Sequence, residues 1–492
     1  MEHLPPVENP YRPLFIPFLA DHNASSFEFS DFQNPRGFNI NSFLAGDLQG
    51  FSTDQIASFI QTWLYFGMIR EVLDANIPTE EFVRTDKGGK WITTERLPHY
   101  MQLFRDQVEE ERLLENMADI FEVRNTRIRT CFATARTYWL ALVDLENNPL
   151  PEEAYFGIHV MANTLQVGAT EICGLGRGYI YPLETSHQPG YREVPWEKDM
   201  HWRMTPNAFM ERRMEEHGWC PVVSGQIQST FNLLGQYYIS LFQPPVRQLD
   251  HSQCKKSDKD CKGYWGFSGF GKHLTTDCQC ETLEIDNVRL AEIVQKDEVP
   301  VLYFDEETKT FQVVSAESQP ELEYVALSHV WSDGWGNPQK NSLSLCRIAQ
   351  LVTWMKASYS VSDFKTQRDV GTFQRLADFQ TQSKSGRWQR ASSYSLPSSD
   401  GSWAPAPNRG YVGKLYFWMD TLCVPRGPKE IHNKAVMNMR NVYAQAERVL
   451  VLDAELLVSP AGASYEEINM RIQSSRWIRR LWTVQEAALA RR

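Results

Sequence analysis

Two stretches of this chain hold residue types that do chemistry at spacings that let them act together. The first, residues 251–280, reads HSQCKKSDKDCKGYWGFSGFGKHLTTDCQC and gathers four cysteines and two histidines, while the other five cysteines are scattered. Cys254, Cys261, His273, Cys278 and Cys280 offer thiolate and imidazole ligands for one tetrahedral zinc, with one group to spare. Zinc there would be structural, stapling a stretch too polar and glycine-rich to hold itself together. The spacing is not that of a common finger, and the other reading is a loop of clustered reduced thiols. The run GFSGFGK (266–272) begins like a P-loop. His273 stands where Ser or Thr should hold magnesium, and no strand leads in, so a nucleotide-triphosphate site is rejected.

The second stretch, RWIRRLWTVQE (476–486), is expected to form the first turns of a helix continuing through Leu489. Trp477 with Leu481, and Trp482 with Glu486, are four residues apart and share a helix face. Two indoles, three arginines and a carboxylate supply apolar anchors, cations for phosphate and one group able to act on a substrate. The plain alternative is core tryptophans beside a solvated Glu486. Asp333 and Asp420 follow predicted strands and are read either as pocket carboxylates or as helix caps and turn closers.

These side chains need elements to position them. Residues 323–330 (EYVALSHV), 414–420 (KLYFWMD) and 448–453 (RVLVLD) read as strands, and residues 433–446 as a helix with Val436, Met439, Val442 and Tyr443 facing inward. A strand pair is expected at 301–304 and 310–314, and a helix or coil from 343 to 354. Strand, helix, strand, helix predicts right-handed crossovers and a parallel sheet. Ligands bind such sheets beyond the carboxyl ends of the strands, where Asp333 and Asp420 fall. Residues 357–410 form a low-complexity insert, expected to be a mobile surface loop.

Upstream, residues 1–245 read as mostly α-helical. Ser52 and Gln55 have capping-box spacing ahead of a face made by Ile56, Ile60, Trp63 and Leu64. Helices are expected over 96–145, 152–171 and 205–242, the last broken at 218–221, with a loop or short hairpin at 78–98. GLGRGY (174–179) lacks the dinucleotide fingerprint and reads as a turn. The organisation is thus a helical region at 1–245, a Cys/His segment at 246–300 and an α/β domain at 320–492.

With 492 residues, 42% apolar and 23% charged, the composition is that of a soluble multidomain globular protein. A net charge of −11 argues against nucleic-acid or anionic-membrane binding. No apolar run approaches the roughly 18 residues of a membrane span, so no membrane insertion is expected. Five prolines in the first 20 residues interrupt any signal-peptide core. An odd set of nine cysteines fits reduced thiols, so a cytoplasmic protein is expected.

YVALSHVWSD, FWMDTLCV and WIRRLWTVQE, in that order and with NVYAQAERVLVL before the third, resemble the heterokaryon-incompatibility (HET) domain of fungal proteins. The resemblance covers about residues 322–492. The upstream HGWC (217–220) and the Cys/His segment look like the region preceding this domain in many members. Val424-Pro425-Arg426 departs from the usual Ile-Asn-Gln. The HET domain is itself similar to TIR domains, several of which cleave NAD at the nicotinamide–ribose bond. That similarity implies a flavodoxin-like parallel sheet with NAD as substrate. It sets Ser328 and Asp333 on the Ser and Asp of the first TIR strand and loop. It also sets residues 482–486 on the TIR helix motif Trp-Cys-x-x-Glu, which makes Glu486 the catalytic glutamate.

By the same resemblance Trp331 and Trp482 are candidates to stack on a ring, Arg479 or Arg480 to meet the pyrophosphate, and Asp333 and Asp420 to shape the pocket. The implied function is nonself recognition that triggers cell death or growth arrest. The alternative is a noncatalytic, self-associating signalling scaffold; the expected partners are a second copy and an unidentified protein. Cys423 follows a buried strand with no histidine placed near it, so an inert core thiol is expected rather than a nucleophile, and His329 is expected to be a satisfied core histidine. The chain stops six residues after Glu486, so the resemblance predicts a sheet truncated at its C-terminal side.

Overall fold

The computed structural model describes residues 1–20, 29, 37–86, 88–143, 145, 147–173, 202, 208–243, 251–258, 261, 273–275, 277–318, 322–360, 414–460 and 462–490. The side chains of residues 332, 359, 360, 481, 482, 484 and 485 lie outside that description. GLGRGY, GFSGFGK and nearly all of the 357–410 insert also fall outside the described residues. The chain divides into two compact units, Met1–Cys261 with Pro460–Met470, and Lys262–Ser459 with Arg471–Arg492. Among the described residues no helix is long and apolar enough to cross a membrane.

The first unit is mostly helical: α1 (Ile40–Leu44), α2 (Thr53–Gln61), α3 (Met68–Leu73), a hairpin of β1 (Val83–Asp86) and β2 (Gly89–Ile92), then α4 (Leu97–Glu111), α5 (Met117–Val143), α6 (Glu152–Cys173), α7 (Ala208–Glu216), α8 (Pro221–Thr230) and α9 (Leu233–Ser240). The start of α2 is a complete capping box. The Ser52 hydroxyl accepts from the Gln55 amide at 3.2 Å, and the Gln55 side chain accepts from the Ser52 amide at 2.8 Å. A π-helical stretch, Thr62–Gly67, joins α2 to α3 without a break. Helix α6 is almost wholly buried, and His159 on it satisfies a ring nitrogen on the Trp202 carbonyl at 3.1 Å.

The second unit is mixed α/β: β3 (Thr282–Glu284), α10 (Asn287–Gln295), β4 (Pro300–Asp305), β5 (Thr310–Ser315), β6 (Tyr324–His329), β7 (Ser342–Ser344), α11 (Leu345–Ser360), β8 (Tyr416–Met419), α12 (Asp420–Cys423), α13 (Lys429–Met437), α14 (Met439–Gln445) and β9 (Arg448–Leu452). Helix α15 (Tyr465–Ser474) begins in the first unit and ends in the second, and α16 (Leu481–Leu489) belongs to the second. The main sheet has five strands in the order β5-β4-β8-β6-β9. It is mixed where a parallel sheet was predicted. Strands β8, β6 and β9 are mutually parallel, and the β4–β5 hairpin pairs antiparallel to β8. A hairpin is antiparallel by construction, because its turn is too short for a crossover.

Every residue of β6 is buried, which is why it reads as a continuous apolar run rather than an alternating one. Each of its large apolar side chains, Val325 and Leu327 among them, contributes on the order of 2 kcal/mol by leaving water. The predicted single helix at 433–446 is two helices parted at Asn438. Where 343–354 was read as helix or coil, a short strand β7 pairs with β3 and leads directly into α11.

Candidate active site

The three parallel strands end on polar groups at one side of the sheet. Strand β6 ends in Ser328-His329, β8 runs straight into Asp420, and β9 into Asp453. Because the strands are parallel and in register, these ends are neighbours. The spatial order β8-β6-β9, with the first strand in the middle, means the chain leaves β6 toward opposite sides, and ligand crevices form at such switch points.

Glu486, on α16, joins this cluster. The fully buried Ser328 hydroxyl donates to its carboxylate, and the Trp477 indole N–H donates to the Ser328 oxygen at 2.6 Å. The Tyr443 hydroxyl stands against the same carboxylate and 3.5 Å from the Leu327 carbonyl. Burial, Glu486 at 8% exposure, pushes its pKa up, and the charge of Asp420 adds to that. The Ser328 hydrogen bond, His329 and Arg480 pull it down without reversing the shift. Tyr443 is driven well above the usual phenol range, first by burial and then by Glu486.

Asp420 receives the Trp331 indole N–H at 2.8 Å and lies 3.0 Å from His329 Nε2. Burial would raise this carboxyl, but His329, the Trp331 bond and Arg480 hold it at about 2. His329 also reaches the Thr421 hydroxyl at 3.2 Å, so it is a satisfied histidine at the strand end. Trp331 offers one face to the Arg426 guanidinium, 5.5 Å from its centroid. Burial pushes the Cys423 thiol far up, which leaves it a core side chain rather than a nucleophile.

Beside this lies a second, charged layer. Asp333 accepts from Arg476 at 2.7 Å and from the Ala454 amide at 2.7 Å, joining the turn after β6 to the turn after β9. Asp453, fully buried, accepts from the amides of Glu455 and Leu456 at 2.7 and 3.2 Å and of Trp477 at 3.0 Å. Arg476 also pairs with Glu455 at 3.1 Å. Burial and the charge of Asp453 lift the Glu455 carboxyl to about 7, against the pull of Arg476 and Arg479.

That layer changes the reading of residues 476–480. They form a turn, and the helix starts only at Leu481. Asp453 captures the Trp477 amide, the Thr483 hydroxyl captures the Trp477 and Arg480 carbonyls, and Arg480 is extended, so helical bonding cannot begin earlier. Trp477 and Leu481 therefore share no helix face. Each of the three arginines has a protein partner: Arg476 the acids, Arg479 the Ser474 carbonyl at 2.7 Å, and Arg480 the His329 carbonyl at 2.5 Å. Trp482 lies on α16, with its side chain outside the described residues.

Ser328, Trp331, Asp420, Arg480 and Glu486 are thus brought together, while Asp333 sits in the adjoining acid–arginine layer. Sequence reading passed over Asp453 and Glu455, and took Trp477 only as a helix-face anchor and Tyr443 only as an inward-facing helix residue. For Asp453 a signal existed: RVLVLD ends a strand on a carboxylate as KLYFWMD does.

Residues 408–457 match the family model of heterokaryon incompatibility protein (HET). The match supports a HET domain. Within the described residues, the HET segment spans β8, α12–α14 and β9, and so holds Asp420, Tyr443, Asp453 and Glu455. Ser328 and Glu486 lie outside the matched HET residues. No curated protein and no solved structure matches the chain.

The metal candidates are distributed differently from the single predicted set. Among the described residues, Cys220, His251, Cys254 and Cys261 form one group, and His273, Cys278, Cys280 and Cys346 another. The five residues read as one ligand set are therefore divided two and three. The completing ligands are Cys220, His251 and Cys346; His251 lies in the segment itself, whereas nothing local in the sequence links Cys220 or Cys346 to it.

Proposed function

We propose that this chain acts in a heterokaryon-incompatibility-type response by hydrolysing the nicotinamide–ribose bond of NAD at a site centred on Glu486. The HET match suggests a role related to heterokaryon incompatibility. The observation that carries the catalytic reading is the meeting of Glu486 with Ser328 at the carboxyl ends of the parallel strands. The resemblance to TIR domains implies Ser328 and Glu486 as separate site residues, and the order β8-β6-β9 suits a crevice beside them. Breaking the C1′–N bond sends its electron pair onto the nicotinamide ring, which leaves neutral and needs no acid. The ribose is left oxocarbenium-like, water adds to it, and a proton is released. A carboxylate at that position stabilises the developing cation or holds the ribose hydroxyls. Ser328 orients Glu486, Arg480 supplies positive charge for the pyrophosphate, and Trp331 supplies a ring edge beside Asp420.

Glu486 must be ionised for this role, and burial has raised its pKa, so cleavage rises with pH as Glu486 loses its proton. The test is nicotinamide release from NAD by the full chain at high protein concentration, beside Glu486→Gln. Release lost in a folded Glu486→Gln protein supports the reading, and release that survives the substitution removes Glu486 from the chemistry.

A second reading, a noncatalytic self-associating module, is favoured by the internal pairing of each carboxylate: Asp333 with Arg476, Asp420 with His329 and Trp331, Glu486 with Ser328. Folded wild-type protein that assembles in sedimentation runs yet releases no nicotinamide selects this second reading.

A further inference from the structure

We infer that the chain holds two structural zinc ions, one on Cys220, His251, Cys254 and Cys261, the other on His273, Cys278, Cys280 and Cys346. In each group every residue offers a ligand atom within 4.8 Å of all the others. Both groups have three thiols and one imidazole, and in both it is the histidine Nδ1 that faces the sulfurs.

The separations fit a filled tetrahedron. Zn–S of about 2.3 Å and Zn–N of about 2.0 Å place tetrahedral ligands ~3.8 Å apart between sulfurs and ~3.5 Å between sulfur and nitrogen. In the first group Cys220–Cys261 and Cys254–Cys261 are 3.5 and 3.7 Å apart, and His251 Nδ1 lies 3.7 Å from Cys254 and 3.2 Å from Cys261. In the second, His273 Nδ1 lies 3.2 Å from Cys280 and 3.8 Å from Cys346. A disulfide would need sulfurs at about 2.05 Å, and all nine cysteines are free.

The surroundings suit thiolates as well. Cys220 is the N-cap residue of α8, at the positive end of the helix dipole, which favours a thiolate. In the second group the Leu274 amide donates to Cys346 at 3.3 Å and the Cys346 amide to Cys280 at 3.3 Å. Such donors fix the first-shell sulfurs and moderate their charge. The second site pins His273, Cys278 and Cys280 to Cys346 at the start of α11, directly beside the β3–β7 pair. The first pins His251, Cys254 and Cys261 to Cys220 at the start of α8.

The test is zinc content of the full chain purified without chelator, with X-ray absorption at the zinc edge. Two zinc ions per chain and a shell of three sulfurs to one nitrogen are expected. Cys220→Ser and Cys346→Ser are each expected to remove one ion and leave the other. Should either variant fail to fold, stoichiometry and absorption of the wild-type protein decide alone. One zinc per chain, none, a shell without sulfur, or a Cys254–Cys261 or Cys220–Cys261 disulfide in a non-reducing peptide map each overturns the inference. None of these readouts involves NAD, so they stand apart from the reading of Glu486.

Discussion

Glu455 is a glutamate that prefers to keep its proton. Its pKa of about 7 lies above the ordinary 4.5, because it is buried beside Asp453 and the two arginines only partly compensate. A carboxyl raised in the folded state contributes stability that is complete below about 4.5 and is lost as pH rises through about 7. Glu455→Gln cannot ionise and loses that dependence. Denaturant titrations across this range should show wild-type stability falling more steeply than that of the variant, by on the order of a few kcal/mol. Equal slopes would take Glu455 out of the pH response. Asp420 behaves in the opposite sense. Held at about 2, it contributes above its ordinary 3.8 and loses that only in strong acid.

At the scale of elements, strands and caps were legible wherever the local rule and the tertiary need agree. EYVALSHV, KLYFWMD and RVLVLD are strands because an apolar run between polar ends has one comfortable place, inside a sheet. The Ser52–Gln55 box is equally local. Ser52→Ala should lower the stability of the helical unit by about 1 kcal/mol, read as a shift in its denaturation midpoint by circular dichroism. An unchanged midpoint would mean that packing alone sets the start of α2. The turn at 476–480 was not legible, because Asp453, which captures its first amide, is 24 residues away in sequence. The candidate site divides the same way: Asp420 and Glu486 were visible from strand ends and a motif, whereas the Tyr443 and Trp477 contacts needed the fold. The grouping of the cysteines failed for the same reason, since Cys346 reaches its partners across 66 residues.

At the scale of the whole molecule, the charge of −11 opposes a polyphosphate partner. A labelled DNA duplex titrated with the chain at low salt should show no change in fluorescence anisotropy. A salt-sensitive rise would place a basic surface somewhere that the overall charge conceals.

The strand order also sets a schedule for synthesis. The β4–β5 hairpin and then β6 leave the ribosome first, yet β4 and β6 are not paired to each other. Strand β8, made roughly ninety residues later, must enter between them, and β9 must then close the far side. Until then β6, every residue of which is buried in the finished sheet, has neither neighbour, and the nascent chain carries an open β edge that chaperones recognise. Ser328 and Glu486, 158 residues apart, are the last to meet. On the proposed reading, a growing chain has no complete site until Glu486 has been translated.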